Sequence, residues 1–202
     1  MNPALDPWRG ERIGLFGGTF DPPHTGHVGM ARHARDVLGL DRVLFSVAPN
    51  PPHKPAGSMS PLEHRVEMVR LAIDGADGLE LARIEDEGAL SFTVDLLRAC
   101  RSRTRADLYF IIGADSLGEF STWKDPAEIL RLATMVVFAR GREPLHLEVP
   151  GPAAIVVFDS PVFDVSSTAV RRLLGAGDAF AGLIDPRVAG YAREHGLYRR
   201  AE

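Results

Sequence analysis

Cysteine is nearly missing from this chain. Cys100 is the single one in 202 residues, so no intrachain disulfide can form and no cysteine-based zinc cluster can be built. A reducing, cytoplasmic setting is the plain expectation. There is no Lys/Arg block either: 23 basic residues stand against 27 acidic ones, a formal net charge of −4. Nucleic acid held by bulk charge is therefore not expected as a partner. No apolar run approaches the ~18 residues a membrane helix needs, which leaves the membrane out as well. The opening "MNPALDPWRGERIG" lacks the apolar stretch of a signal peptide, and residues 1–11 read as a short tail leading into the fold. Repeats, low-complexity tracts and an interdomain linker are also missing. With 45% hydrophobic and 25% charged residues, the composition is that of an ordinary globular protein. It reads most simply as one domain over 1–202, long enough to bury a full core.

What the chain does have is alternation. Apolar, β-rich runs appear at "RIGLFGG", "RVLFSVAP", "LELARIE", "DLYFIIGA", "TMVVFAR" and "AAIVVFDS". Helix-patterned segments lie between them: about Thr25 to Leu40, "SPLEHRVEMVRLAIDG", "SFTVDLLRACRSR", "DPAEILRLA", "SSTAVRRLLGAG" and "DPRVAGYAREHGL". Strands alternating with helices predict βαβ units and a parallel sheet. The nearly continuous apolar runs "LYFII" and "TMVVF" suit strands covered on both faces. The expected fold is α/β, a Rossmann-like doubly wound parallel sheet whose ligands sit at the carboxyl ends of the strands.

The first such end is "GLFGGTFDPPHTGHVGMA". Gly17 and Gly18 permit a sharp turn and close approach of another group. Pro22 and Pro23 stiffen the loop and keep Asp21 out of helical geometry. His24 and His27 stand three apart where a helical rhythm begins, so they share a face. The open N–H groups and positive dipole end of that helix favour an anion, and imidazoles add donors without a permanent charge. The stretch reads as a phosphate site built on histidines, unlike either the Rossmann glycine pattern or the Walker loop. Two plainer readings stand beside it: a Gly-rich turn with histidines as caps or packing residues, and a His-x-x-His metal site lacking a third ligand nearby.

These residues carry a resemblance. "GGTFDPPHTGH" resembles the signature of the nucleotidyltransferase superfamily with the His-x-Gly-His motif, here His24-Thr25-Gly26-His27. "VSSTAVR", Val165–Arg171, is similar to that superfamily's second block and lies about 140 residues further on. Pro51–Lys54, His64–Met68, Ser91–Leu97, Ile111–Leu117 and Ser121–Leu130 follow in an order that resembles the bacterial nicotinate-nucleotide adenylyltransferases. The resemblance runs from Ile13 to Tyr198, with one departure at Phe92, where that family often carries Tyr. It implies transfer of the adenylyl group from ATP to nicotinate mononucleotide, giving nicotinate adenine dinucleotide and pyrophosphate. Mg²⁺ assists the leaving pyrophosphate and is held through the ATP phosphates rather than by protein ligands. The substrates are the two small molecules, and self-association into a homo-oligomer is compatible with the sequence.

When the nucleophile is already a phosphate oxygen, no serine, cysteine or strong base is needed; catalysis reduces to positioning two anions and stabilising charge. The catalytic candidates are then His24, His27, Lys54 and Arg171. For ATP, the resemblance implies Gly17, Gly18, Thr19, Phe20, His24, His27, Gly113, Asp115, Ser166, Ser167, Thr168 and Arg171. Ser167 and Thr168 can cap a helix while offering hydroxyls, and Arg171, one turn on, offers multidentate phosphate recognition. For the mononucleotide it implies Thr19, Lys54, Thr93, Asp115 and Trp123, the indole stacking on the pyridine ring. Each has a bland counterpart: a solvated Arg behind an N-cap, a loop lysine, a turn aspartate, a core tryptophan. The amide mononucleotide, another small phosphate accepted by a relative such as phosphopantetheine adenylyltransferase, and a non-catalytic nucleotide-binding module stand as alternatives. His33, His64, His146, His195 and Cys100 read as surface or packing residues.

Overall fold

The structure, a computed structural model, describes residues 8–49, 51, 58–82, 92–139, 155–159, 165–178 and 182–199, without the side chains of Ala114, Asp115, Ala139 and Asp159. Among these residues six strands form one sheet: β1 Arg12–Gly18, β2 Arg42–Val47, β3 Leu79–Leu81, β4 Asp107–Gly113, β5 Thr134–Ala139 and β6 Ile155–Asp159. The helices are α1 Thr25–Leu38, α2 Leu62–Ile73, α3 Thr93–Arg103, α4 Ala114–Leu117, α5 Pro126–Leu132, α6 Ser167–Ala176 and α7 Pro186–Glu194. The strands lie in the order β3-β2-β1-β4-β5-β6, and every pairing is parallel. This is the expected doubly wound sheet. Its order reverses between β1 and β4, and the carboxyl ends of those two strands flank the crevice where such folds bind ligands.

Period-two alternation sends the strand side chains to two cores. Ile13 and Leu15 of β1, with Leu108, Phe110, Ile112, Met135 and Val137, pack on Val94, Leu97 and Cys100 of α3 and Ile129 of α5. Phe16, with Val43, Phe45, Ile111, Val136 and Phe138, packs on Ala31 and Ala34 of α1 and Val69 and Ile73 of α2. Gly14, between them, has no room for a side chain: a Cβ there would lie 2.9 Å from Leu40 and Val43. A third cluster joins α2, α6 and α7 through Met68, Val170, Ile184, Val188, Ala189 and Ala192. It brings the C-terminal helices to the α2 side of the sheet.

Three local differences from the sequence reading have simple causes. Helix α1 stops at Leu38 rather than Leu40, because Gly39 takes a left-handed φ of 59° and its N–H closes on the Arg35 carbonyl. Trp8, placed in the tail by sequence, is 8% exposed and belongs to the α3 core; a buried indole outweighs the flanking proline and charge. The four-residue α4 and a 3-10 turn at Phe120–Thr122 were not expected, being too short for any periodicity. No helix among the described residues is long and apolar enough to cross a membrane.

Candidate active site

The carboxyl end of β1 turns differently from the way its glycines suggest. Gly17 and Gly18 are still strand residues, and the left-handed residue is Phe20, at φ 48°. The glycines matter for space. A Cβ on Gly17 would stand 3.2 Å from the Phe110 ring on one face, and a Cβ on Gly18 2.9 Å from the Phe20 ring on the other. After a cis Asp21–Pro22 bond, His24 in extended geometry caps α1. Thr25 ties this helix start to the loop before α7: its N–H donates to Leu183 O at 3.0 Å and its hydroxyl to Gly182 O at 3.0 Å.

His24 and His27 do share a face. Their rings stack with centroids 3.6 Å apart and 22° between planes, and Phe16 and Phe20 meet the His27 ring edge-on. His24 is 4% exposed. The backbone N–H of His24 donates to Nδ1 of His27 at 3.1 Å. With Nδ1 accepting, the His27 ring carries its proton on Nε2, so it meets an anion as a neutral N–H donor. The first turn of α1 holds no acidic residue, which leaves its dipole end to an external anion.

The second motif is docked onto the first. Ser166 is the N-cap of α6, its hydroxyl accepting from Ala169 N–H at 3.2 Å. Ser167 donates to Pro22 O at 3.0 Å. Arg171 donates to Asp21 O at 2.7 Å and to Thr168 Oγ1 at 3.0 Å. Segments 150 residues apart in the chain thus place two helix N-termini, two imidazoles and one guanidinium around a single loop. Acidic residues are absent from the first turn of α6 as well. Some of these polar groups hold the loop itself, so the hydroxyl of Ser167 serves it directly.

Sequence reasoning passed over three residues that hold this loop in place. Arg65 of α2, 1% exposed, donates to Ser60 O at 2.9 Å, Thr19 O at 3.0 Å, Ala48 O at 2.8 Å and Pro49 O at 3.1 Å. It clasps the β1 loop to the segments flanking the β2–α2 connection. Burial pushes its pKa down, and the nearby Asp21 carboxylate pulls it back. Asp21, 2% exposed, accepts from Ser60 N–H at 3.2 Å and from the Tyr198 hydroxyl at 2.6 Å. Burial first, then the bond to Asp21, raises the Tyr198 hydroxyl far above the ordinary phenol range. "HRVEM" was visible in the sequence, but an arginine in a helix reads as solvated unless its partners are known.

On the other face, beside β4, Gly113 ends the strand and faces open space. Trp123 is half-buried, edge-on to Phe120 at 5.5 Å and Phe110 at 6.3 Å. Thr93 is the first residue of α3. The neighbours of these two residues meet: Lys124 lies 4.9 Å over the Phe92 ring and pairs with Asp95 at 2.7 Å. The start of α3, with Thr93, and the Trp123 segment therefore adjoin one another. Lys54, and the side chain of Asp115, lie outside the described residues. No cluster of three His, Cys, Asp or Glu side chains suited to a metal occurs among the described residues. His33 packs on Phe138 and Phe158, His64 and His195 on Tyr191, and Cys100 is buried. His146 is outside the described residues.

A neutral imidazole donor, a guanidinium and two helix starts without acidic residues, groups of the kind that favour an anion, gather at the switch point of a doubly wound sheet. Fold and site together define a cytidylyltransferase-like protein, and that family's model matches residues 15–173. Within this class the chain belongs to the nicotinate-nucleotide adenylyltransferase family. It is 43% identical over 190 residues to a Thermus thermophilus protein named "Probable nicotinate-nucleotide adenylyltransferase", covering 93% of this chain and 100% of that one. A Pelobacter propionicus protein of the same name is 37% identical over 211 residues, covering 93% and 98%. The fold also matches Plasmodium falciparum nicotinic acid mononucleotide adenylyltransferase complexed with NaAD, at a TM-score of 0.76 and 18% identity over 94% of this chain and 98% of that one.

Proposed function

We propose that the protein joins ATP and nicotinate mononucleotide into nicotinate adenine dinucleotide and pyrophosphate, as a cytoplasmic enzyme of NAD biosynthesis acting through a single nucleotidyltransferase domain. The observation that carries this reading is the docking of Ser167 and Arg171 on the Asp21–Pro22 carbonyls, which makes one phosphate cradle out of two distant motifs. A phosphate oxygen of the mononucleotide attacks the α-phosphorus of ATP. The bond from that phosphorus to the bridging oxygen breaks, and its electron pair leaves with pyrophosphate. No proton transfer is required. His27, as an Nε2–H donor, and Arg171 stabilise charge gathering on the α-phosphate and the leaving group. His24, stacked on His27, and the N-termini of α1 and α6 fix the phosphates in line.

Gly17, Gly18 and Gly113 leave room for the nucleotide, with Thr19, Phe20, Ser166 and Thr168 around it. Lys54 acts as a point charge on phosphate and Asp115 on ribose hydroxyls, while Thr93 and Trp123 wall the pyridine ring. The donor set of imidazoles, hydroxyls and guanidinium suits phosphate oxygens better than a resident metal, so Mg²⁺ enters as part of the MgATP substrate, where it neutralises the leaving pyrophosphate.

The test is direct. Purified protein is incubated with MgATP and either the acid or the amide mononucleotide, and pyrophosphate is followed. Turnover of the acid is expected. Product from neither would overturn the adenylyltransferase reading, and faster turnover of the amide would overturn the acid preference.

A further inference from the structure

Tyr198 lies in the turn after α7, well outside both motifs, yet it touches the first of them and the helix that carries the second. Its hydroxyl donates to the buried Asp21 carboxylate at 2.6 Å. Its carbonyl oxygen lies 2.5 Å from the point where a Cβ on Gly175 of α6 would stand. That close approach requires glycine: the obstacle is backbone, which cannot swing aside. Tyr198 also holds a left-handed φ of 63°, a conformation that a bulky side chain rarely adopts and that persists only where the surroundings impose it.

Asp21 is where these contacts converge on the cradle. Its carbonyl takes Arg171 at 2.7 Å, and Ser60 N–H closes the second carboxylate oxygen at 3.2 Å. Only Pro22 and Pro23 separate it from His24, and two prolines have fixed φ angles. A displacement at Asp21 therefore passes to His24, and through the His24 N–H to Nδ1 of His27, with little slack. Removing the hydroxyl strands a buried acceptor, and the loop must move to find another donor.

We propose that Tyr198 is a positioning residue of the phosphate cradle: through Asp21, the C-terminal turn sets the loop that presents His24 and His27 and receives Arg171. The proposal rests on the adenylyl-transfer reading for its kinetic test, but not for its spectroscopic one. Tyr191 supplies the control. Its hydroxyl also meets a buried-side partner, His64 Nδ1 at 2.9 Å, but one that belongs to the α2–α7 packing alone.

In Tyr198→Phe, kcat should fall about tenfold while the KM for ATP stays within about twofold, the pattern of a lost alignment rather than lost binding. Tyr191→Phe should keep both constants. In Asp21→Asn/Tyr198→Phe, the loss should not exceed that of the worse single variant, because one path is cut twice. Ring ¹⁵N shifts of His27 in the ligand-free protein should show Nδ1 as acceptor in the wild type and a mixed tautomer in Tyr198→Phe.

Wild-type kcat in Tyr198→Phe, equal losses in the two tyrosine variants, or an unchanged His27 spectrum would each overturn the proposal. If the wild type transfers no adenylyl group, the functional reading falls and the His27 spectrum decides this one. If Tyr198→Phe does not fold, Gly175→Ala, which keeps the hydroxyl but pushes the turn away, is read by the same constants and the same spectrum.

Discussion

His27 shows how one side chain is set for a task by its neighbours. The His24 N–H on its Nδ1 leaves an Nε2–H donor, and a neutral donor can follow charge as it develops without competing for the ground-state anion. His27→Ala should lower turnover at least about a hundredfold, the scale of losing one preorganised donor, with the fold intact by circular dichroism; a near wild-type rate would remove His27 from the catalytic set. Tyr198 makes a different prediction, about pH. Its hydroxyl is raised in the folded chain above the ordinary value of 10.0. Below that value both folded and unfolded states keep the proton, and the contribution to stability is complete. Above it the unfolded chain loses the proton first, so the folded state is progressively disfavoured. The melting temperature of the wild type should therefore fall more steeply above pH 10 than that of Tyr198→Phe. Parallel curves would show that the hydroxyl is not sequestered.

At the scale of elements, the cradle depends on helices holding loops. Arg65 reaches four carbonyls in three segments, and a lysine, with one ammonium on a flexible stem, cannot serve them all. Arg65→Lys should destabilise the chain by about 3 kcal/mol, the sum of losing charged hydrogen bonds and stranding buried carbonyls. Urea unfolding would show this as a lower midpoint at unchanged slope; a loss below about 1 kcal/mol would mean that the loops stand without the clasp. These contacts also mark what could be read in advance. The six strands and the longer helices announce themselves by period and by their caps, and the His24–His27 pair by its local spacing. The Asp21–Tyr198 bond joins residues 177 apart, and nothing in either segment names the other. Gly17 and Gly18 were legible as special residues but for a different reason: their neighbours are the Phe110 and Phe20 rings, and the turn falls on Phe20. Likewise α4 has four residues, fewer than one period can reveal.

For the whole molecule, the order β3-β2-β1-β4-β5-β6 separates the two halves of the site by sheet face. The His24–His27 pair, Phe16 and Phe20 lie with the α1–α2 core, while Trp123 and Phe110 belong to the α3–α5 core. On the proposed function a nucleotide filling the crevice contacts both, and α6 as well, so its binding energy is spread over parts joined through the sheet and through the Ser167 and Arg171 contacts to the β1 loop. Stability should report this. At about a hundred times its Kd, a ligand that binds only the folded state adds about 2.7 kcal/mol. For a chain of this size each kcal/mol is worth about 2–4 °C in melting temperature, so MgATP should raise the transition by roughly 5–10 °C. Arg171→Ala removes the guanidinium that links Asp21 to α6, yet leaves the sheet cores alone. Its ligand-free transition should lie close to that of the wild type, and the MgATP shift should shrink to less than half at the same concentration. Differential scanning fluorimetry with and without MgATP measures both. A wild type that does not respond to MgATP would show that the crevice does not take the nucleotide. An undiminished shift in Arg171→Ala would show that α6 contributes architecture rather than binding.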